Sequence, residues 1–214
     1  MNPFKSYRDC LIIKDHVKSR HIIAGEYSYY SGYYHGKSFD DCVMYLDEGD
    51  DAHETDQLMI GKFCSIATGV QFMMGGTQGH NYNWIASYPL DAFEDDFDGY
   101  TNTPPKAYKR KGNTAIGNDV WIGAESLIMP GIHISDGAVI GARSVVTKNV
   151  GPYEIWAGNP AKLIKKRFGD EDIQKLLEIK WWDWDIEKIK AHLDLIRSSD
   201  VHGLWTRIQA EKEA

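Results

Sequence analysis

Cysteine is scarce in this chain, with only Cys10, Cys42 and Cys64 among 214 residues. They form no CxxC pair and leave an odd count, which argues against a disulfide framework and for a reducing compartment. Excess positive charge is missing too. With 24 basic against 31 acidic residues the formal net charge is −7, a poor balance for a nucleic-acid binder, so any anionic ligand has to rely on a local basic cluster. Long apolar runs are also lacking. No stretch approaches membrane length, and the three-residue apolar run after Lys5 and Arg8 is too short for a signal peptide. The expectation is a cytoplasmic protein without membrane contact, long enough for one solenoid domain plus a small appendage.

What is present is a period of six. Ile116, Ile122, Ile128, Ile134, Ile140 and Val146 recur at every sixth place, and glycine follows directly at Gly117, Gly123 and Gly141. The residue four places after each anchor is small or β-branched: Val120, Ser126, Ile132, Ala138, Ser144 and Val150. No helix repeats every six residues. Six is compatible with the two-residue alternation of strands, so anchors at i and i+4 point inward from short extended segments separated by turns. Such periodicity predicts a parallel β-helix, mainly β, in which each rung buries its anchor only by stacking on its neighbours.

The period opens earlier, at Ile60-Gly61, Ile66 and Phe72, with Cys64 at an i+4 place, and Ala24 to Tyr29 reads as a single hexad that begins the coil. Residues 1–21 read as an irregular or helical lead-in, and the acidic stretch 47–57 as a surface loop. The register fails after about Thr77 and resumes at Asn113 to Ile116, which makes 78–115 an excursion loop from a regular scaffold, a usual place for function. Gly158-Asn159-Pro160-Ala161 is a turn signal that ends the coil. From Asp170 the chain reads helical, with Ile173, Leu176, Leu177, Trp181 and Trp184 on one face, so the expected division is 1–168 for the coil with its excursion and 169–214 for a helical segment packed on it. His16, His21, His53, His133, His192 and His202 lie without catalytic spacing and read as solvated surface.

The string Ile116-Gly117-Asn118-Asp119-Val120-Trp121-Ile122-Gly123, the closing Gly158-Asn159-Pro160-Ala161 and the later Trp181-Trp182-Asp183-Trp184 resemble the xenobiotic acetyltransferases of the hexapeptide-repeat superfamily. Within it, Ser28 to Gly36, Ser38-Phe39-Asp40-Asp41-Cys42 and Gln78-Gly79-His80 look like the type B chloramphenicol acetyltransferases. The acceptor loop departs from that pattern. Tyr88-Pro89-Leu90-Asp91-Ala92-Phe93, an acidic run and Pro104-Pro105 are closer to the streptogramin A branch. The resemblance implies a left-handed, three-sided β-helix, a homotrimer with active sites between subunits, and O-acetyl transfer from acetyl-CoA, as co-substrate, to a hydroxyl of an antibiotic. Chloramphenicol is the expected acceptor and streptogramin A the alternative; a non-catalytic β-helix trimer is the alternative of another class. No metal is expected, because the chain lacks the three converging histidines of the gamma-class carbonic anhydrases.

His80 alone reads as a surface-loop histidine; the resemblance makes it the catalytic residue. It lies where the register fails, approached by Gly75, Gly76 and Gly79, and a neutral imidazole can take a hydroxyl proton near pH 7. For the acceptor, the resemblance points to Tyr29 and the aromatic run that includes Tyr30, with Phe93, Pro104 and Pro105 on the same wall. For the donor, Lys162, Lys165, Lys166 and Arg167 can offset phosphate charge, although such a run is equally a solvated face. Trp121, at the sixth place of its hexad, projects outward, where the resemblance puts the coenzyme groove; packing at a trimer interface is the competing role. Gly123, Ala142 and Gly158 are candidate points of close approach for the pantetheine arm.

Overall fold

The computed structural model describes residues 2–46, 55–76, 80–88 and 110–213. A lead-in strand β1 (Leu11–Ile12) and a single helical turn α1 (Ile13–His16) come first. The hexads then form short strands: β2 (Ile22–Ala24), β3 (Tyr29–Ser31), β4 (Val43–Met44), β5 (Leu58–Ile60), β6 (Ser65–Ala67), β7 (Gln71–Met73), β8 (Thr114–Ile116), β9 (Trp121–Ile122), β10 (Leu127–Ile128), β11 (His133–Ile134), β12 (Val139–Ile140) and β13 (Val145–Val146). Successive strands enter three sheets in rotation, ordered β2-β5-β8-β11, β3-β6-β9-β12 and β4-β7-β10-β13. Their pairing is parallel: Ile116 lies beside Ile134, Ile122 beside Ile140 and Ile128 beside Val146. One turn of the coil therefore takes three hexads, and the predicted β-helix is three-sided.

The anchors fill the interior. Ile122, Ile128, Ile134, Ile140 and Val146 are wholly buried, and so are Ser126, Ala138 and Ser144 at the i+4 places. A buried hydroxyl needs a partner, and Ser126 and Ser144 both donate to the Gly141 carbonyl, at 2.9 and 2.7 Å. Cys64 is core, as its i+4 place predicts, and burial pushes its thiol up to about 11. The corners also follow the period. Tyr27, Phe63, Asp119, Glu125 and Arg143, each three places after an anchor, have φ between 53° and 60°, a left-handed backbone that costs a non-glycine residue about 1–2 kcal/mol. The stacking of rungs repays that strain.

One of the three sheets is extended at both ends, which blunts edges that a solenoid would otherwise leave open. β1 pairs antiparallel with β3 at one end. At the other, the Gly158-Asn159-Pro160-Ala161 turn does not end the coil's sheet: it is the tip of a hairpin between β14 (Glu154–Gly158) and β15 (Ala161–Lys166), of which β14 runs parallel to β12. The helical remainder comprises α2 (Asp170–Ile179), α3 (Ile186–Ala191), α4 (Leu193–Ile196) and α5 (Val201–Glu213). Two of its tryptophans meet the coil: Trp182 is buried with Ile173, Leu176, Val201 and the coil's Tyr153, and the Trp181 ring lies 4.8 Å from that of Phe63, whereas Trp184 packs among the helices.

Two histidines expected at the surface are buried. His21 is 3% exposed, and His192, also 3%, bridges the Lys188 carbonyl and the Glu211 carboxylate at 2.8 and 2.7 Å. His53 lies outside the described residues. Asp56, placed by sequence in a surface loop, is buried as well, and pairs with Arg110.

Candidate functional site

The excursion leaves the coil after β7 and returns at β8, close to the bounds read from the hexads. Its neck is narrow, because Gly76 and Arg110 form an antiparallel bridge. Four residues beyond that bridge stands His80, exposed, with its Nδ1 2.9 Å from the carbonyl oxygen of Ser87. A carbonyl only accepts, so Nδ1 carries the hydrogen and the neutral ring keeps its lone pair on Nε2. The loop between is closed locally by Trp84 N–H to Asn81 O at 3.1 Å and Asn83 N–H to Asn81 Oδ1 at 3.0 Å. Tyr82, Trp84, Ile85 and Tyr88 are all exposed around it. Exposed apolar side chains near His80 in the chain, together with an Nε2 that has no hydrogen-bond partner among the described residues, are the groups that binding an alcohol and removing its proton would call on.

A second group of expected residues meets on one face of the coil. In the sheet that contains β3, the residue before each buried anchor points outward, and these pair strand by strand as Tyr29, Ser65, Trp121, Val139, Ile155 and Lys165. The row runs along the coil axis. At about 4.8 Å per strand it extends for roughly 24 Å, from the expected acceptor tyrosine through Trp121, which is 57% exposed, to a free lysine. Among the described residues no hydrogen bond or ring contact joins His80 to this row.

Three expectations are corrected. Tyr30 faces inward: it is wholly buried against Phe4 and Phe39 with its hydroxyl 3.3 Å from Cys42 Sγ, and burial raises the phenol's pKa. It is the anchor six places after Ala24, so no ligand reaches it. Arg167 is not a free cation, since its Nη1 donates to Gly137 O at 2.6 Å and pairs with Asp119 at 3.4 Å while the guanidinium lies over the Tyr153 and Phe168 rings. Gly123 is buried, and a Cβ there would meet the Ala142 nitrogen at 2.6 Å. In the structure its close approach is to the next rung of the coil.

The other expected donor residues keep their surface positions. Lys162 and Lys165 are exposed on β15 with no ion-pair partner among the described residues; Lys166 pairs with Asp170. Ala142 and Gly158 are exposed. Phe93, Pro104 and Pro105 lie outside the described residues, as do Gln78 and Gly79. Sequence reading missed the Asp56–Arg110 pair, whose members are far apart in the chain and belong to no repeat. It also missed a cavity of about 290 Å³ between coil and helices, lined by Asp119, Tyr153, Arg167, Trp181, Val201 and Leu204 among others. Burial raises the pKa of Asp119 there, against the lowering effect of Arg167. Among the described residues no group of three His, Cys, Asp or Glu side chains could hold a metal ion.

Residues 113–148 match the family described as bacterial transferase hexapeptide (six repeats). A chloramphenicol acetyltransferase of Klebsiella aerogenes is 51% identical over 203 residues, 95% of this chain and 93% of that protein. A virginiamycin A acetyltransferase of Staphylococcus aureus is 42% identical over 202 residues, 94% of this chain and 89% of that one. Among solved structures, a maltose O-acetyltransferase from Clostridium difficile 630 is 26% identical with a TM-score of 0.46, over 70% of this chain and 61% of that one.

Proposed function

The chain belongs to the chloramphenicol acetyltransferase family of hexapeptide-repeat proteins, and from that premise we propose that it moves an acetyl group from acetyl-CoA to a hydroxyl of chloramphenicol, with His80 as general base. The observation that carries this is the bond from His80 Nδ1 to the Ser87 carbonyl. With Nδ1–H engaged, Nε2 is the nitrogen free to accept a proton. The acceptor hydroxyl gives its proton to Nε2 as its oxygen bonds to the thioester carbon, the C–S bond breaks, and the coenzyme A thiolate takes the proton back from the imidazolium. No covalent acetyl-enzyme is required.

In this reading the part of the row from Trp121 to Lys165 is the donor track, and Tyr29 stands at its acceptor end. Trp121 flanks the pantetheine arm, Ala142 and Gly158 border it, and Lys162 and Lys165 meet the phosphates, with Lys166 contributing less because Asp170 holds it. Tyr29, Phe93, Pro104 and Pro105 belong to the acceptor wall. The coil is left-handed, and the protein is a cytoplasmic homotrimer in which one subunit's excursion meets a neighbour's row. The support is that no hydrogen bond or ring contact joins His80 to the row among the described residues and that the coil leaves apolar residues uncovered, Ile23 at 49% and Met59 at 36% exposure side by side as well as Trp121. Residues 1–168 form the catalytic body, with 169–214 packed on it.

The test is His80→Ala. Acetyl transfer to chloramphenicol should fall by about 100- to 10,000-fold while acetyl-CoA still binds. A variant that keeps more than about a tenth of wild-type turnover rules out a general base at this position. Offering streptogramin A beside chloramphenicol to the wild-type enzyme decides the acceptor, and failure with both would favour a non-catalytic trimer.

A further inference from the structure

The neck of the excursion is held by one ion pair. Arg110 Nε and Nη2 both donate to Asp56 Oδ1, at 2.9 and 2.5 Å. The Asp56 side chain is only 2% exposed and its Oδ2, also buried, has no hydrogen-bond partner among the described residues. Among the described residues the cation that pairs with this carboxylate is Arg110. Arg110 in turn bridges Gly76 through its backbone, and the next rung is tied in by Gln57 N–H to Asn113 Oδ1 at 2.8 Å and Thr114 N–H to Gln57 O at 3.0 Å. One buried charge thereby fixes where the chain departs toward His80 and where it comes back.

We propose that Asp56 and Arg110 are positioning residues for acetyl transfer: their ion pair locks the take-off of the segment that carries His80 and so sets the place of the imidazole against the acceptor hydroxyl. The coil does not need this pair for its own stacking, since the paired anchors Ile60 and Ile116 close that rung. A catalytic group moved by about 1 Å can cost on the order of 100-fold in rate, so a neck that shifts even slightly is felt at His80. The inference rests on His80 as general base. The pair acts on turnover rather than on coenzyme binding, because the donor row belongs to another sheet.

Asp56→Asn is the primary variant, as it leaves no unpaired buried charge; Arg110→Gln, Arg110→Lys and the Asp56→Asn/Arg110→Gln double variant accompany it. Each is measured alone and on a His80→Ala background, by kcat with chloramphenicol and by titration of acetyl-CoA. Asp56→Asn should lower kcat by about 10- to 100-fold with acetyl-CoA affinity unchanged, and Arg110→Lys should retain more activity than Arg110→Gln. The double variant should lose no more than the worse single one, and on the His80→Ala background Asp56→Asn should cost nothing further. Wild-type kcat in Asp56→Asn, or the same loss repeated without His80, would overturn the proposal while leaving the base intact. A His80→Ala enzyme that keeps its activity overturns both.

Discussion

Replacing Ile128 by alanine tests the register of the coil. Ile128 is wholly buried in β10, hydrogen-bonded between β7 and β13, with Phe72 and Val146 directly beside it. Removing its outer carbons leaves a cavity between two rungs. The parallel ladders hold those rungs at about 4.8 Å, so the walls cannot collapse into the space, and the cost belongs in the upper part of the usual 2–5 kcal/mol, about 3–5. In a chain of this length each kcal/mol is worth roughly 2–4 °C in Tm, which sets the expected drop at about 6–20 °C. Leu127, the preceding residue, is only half-buried and points out of the coil; Leu127→Ala should cost less than half as much. The assay is thermal unfolding of both variants at one fixed protein concentration, because association with other copies would add its own stabilisation. Equal losses at the two positions, or a shift below about 3 °C for Ile128→Ala, would refute the inward register.

Asp119→Asn should be neutral or stabilising at pH 7. Burial raises the folded-state pKa of Asp119 above its unfolded value of 3.8, so the folded chain binds the proton more tightly, and wild-type stability rises as pH falls through that window and declines as pH rises. Asparagine removes this slope and suits the φ of 53°; a variant less stable than wild type at pH 7 but not at pH 4 would show that the Arg167 pair outweighs burial. On the donor side, Lys162→Glu/Lys165→Glu should weaken acetyl-CoA binding, most at low salt, and leave the acceptor KM near its wild-type value. Calorimetry across ionic strengths checks this, and unchanged coenzyme affinity would remove β15 from the donor track.

The coil was readable from sequence because each of its interior positions answers to the same local rule. Ile116 through Val146 can be buried only by their equivalents one turn away, so the period had to be maintained residue by residue. Where the rule was abandoned too early, a core residue was misplaced: Tyr30 is six places after Ala24, and Ser28 before it is small, yet the neighbouring tyrosines suggested an aromatic edge. β15 was missed for a related reason. Lys162, Leu163, Ile164 and Lys165 form an antiparallel strand closing the solenoid, and a closing strand has no rung above it to impose the hexad.

The candidate site obeys a different logic, and this is why less of it could be read. His80 lies where the period fails, but only the family resemblance singles it out, and its proposed role depends on which nitrogen holds the proton, which follows from a bond to the Ser87 backbone that any residue at position 87 could supply. The neck pair is more extreme. Asp56 and Arg110 stand at the ends of two different departures from the coil, and among the described residues each is the other's ion-pair partner. A repeat disperses its constraints over many equivalent positions, so losing one leaves the pattern recognisable. A departure concentrates them in single contacts between distant residues. Those contacts leave no periodic trace, and in the proposal made above they are the ones that set the place of His80.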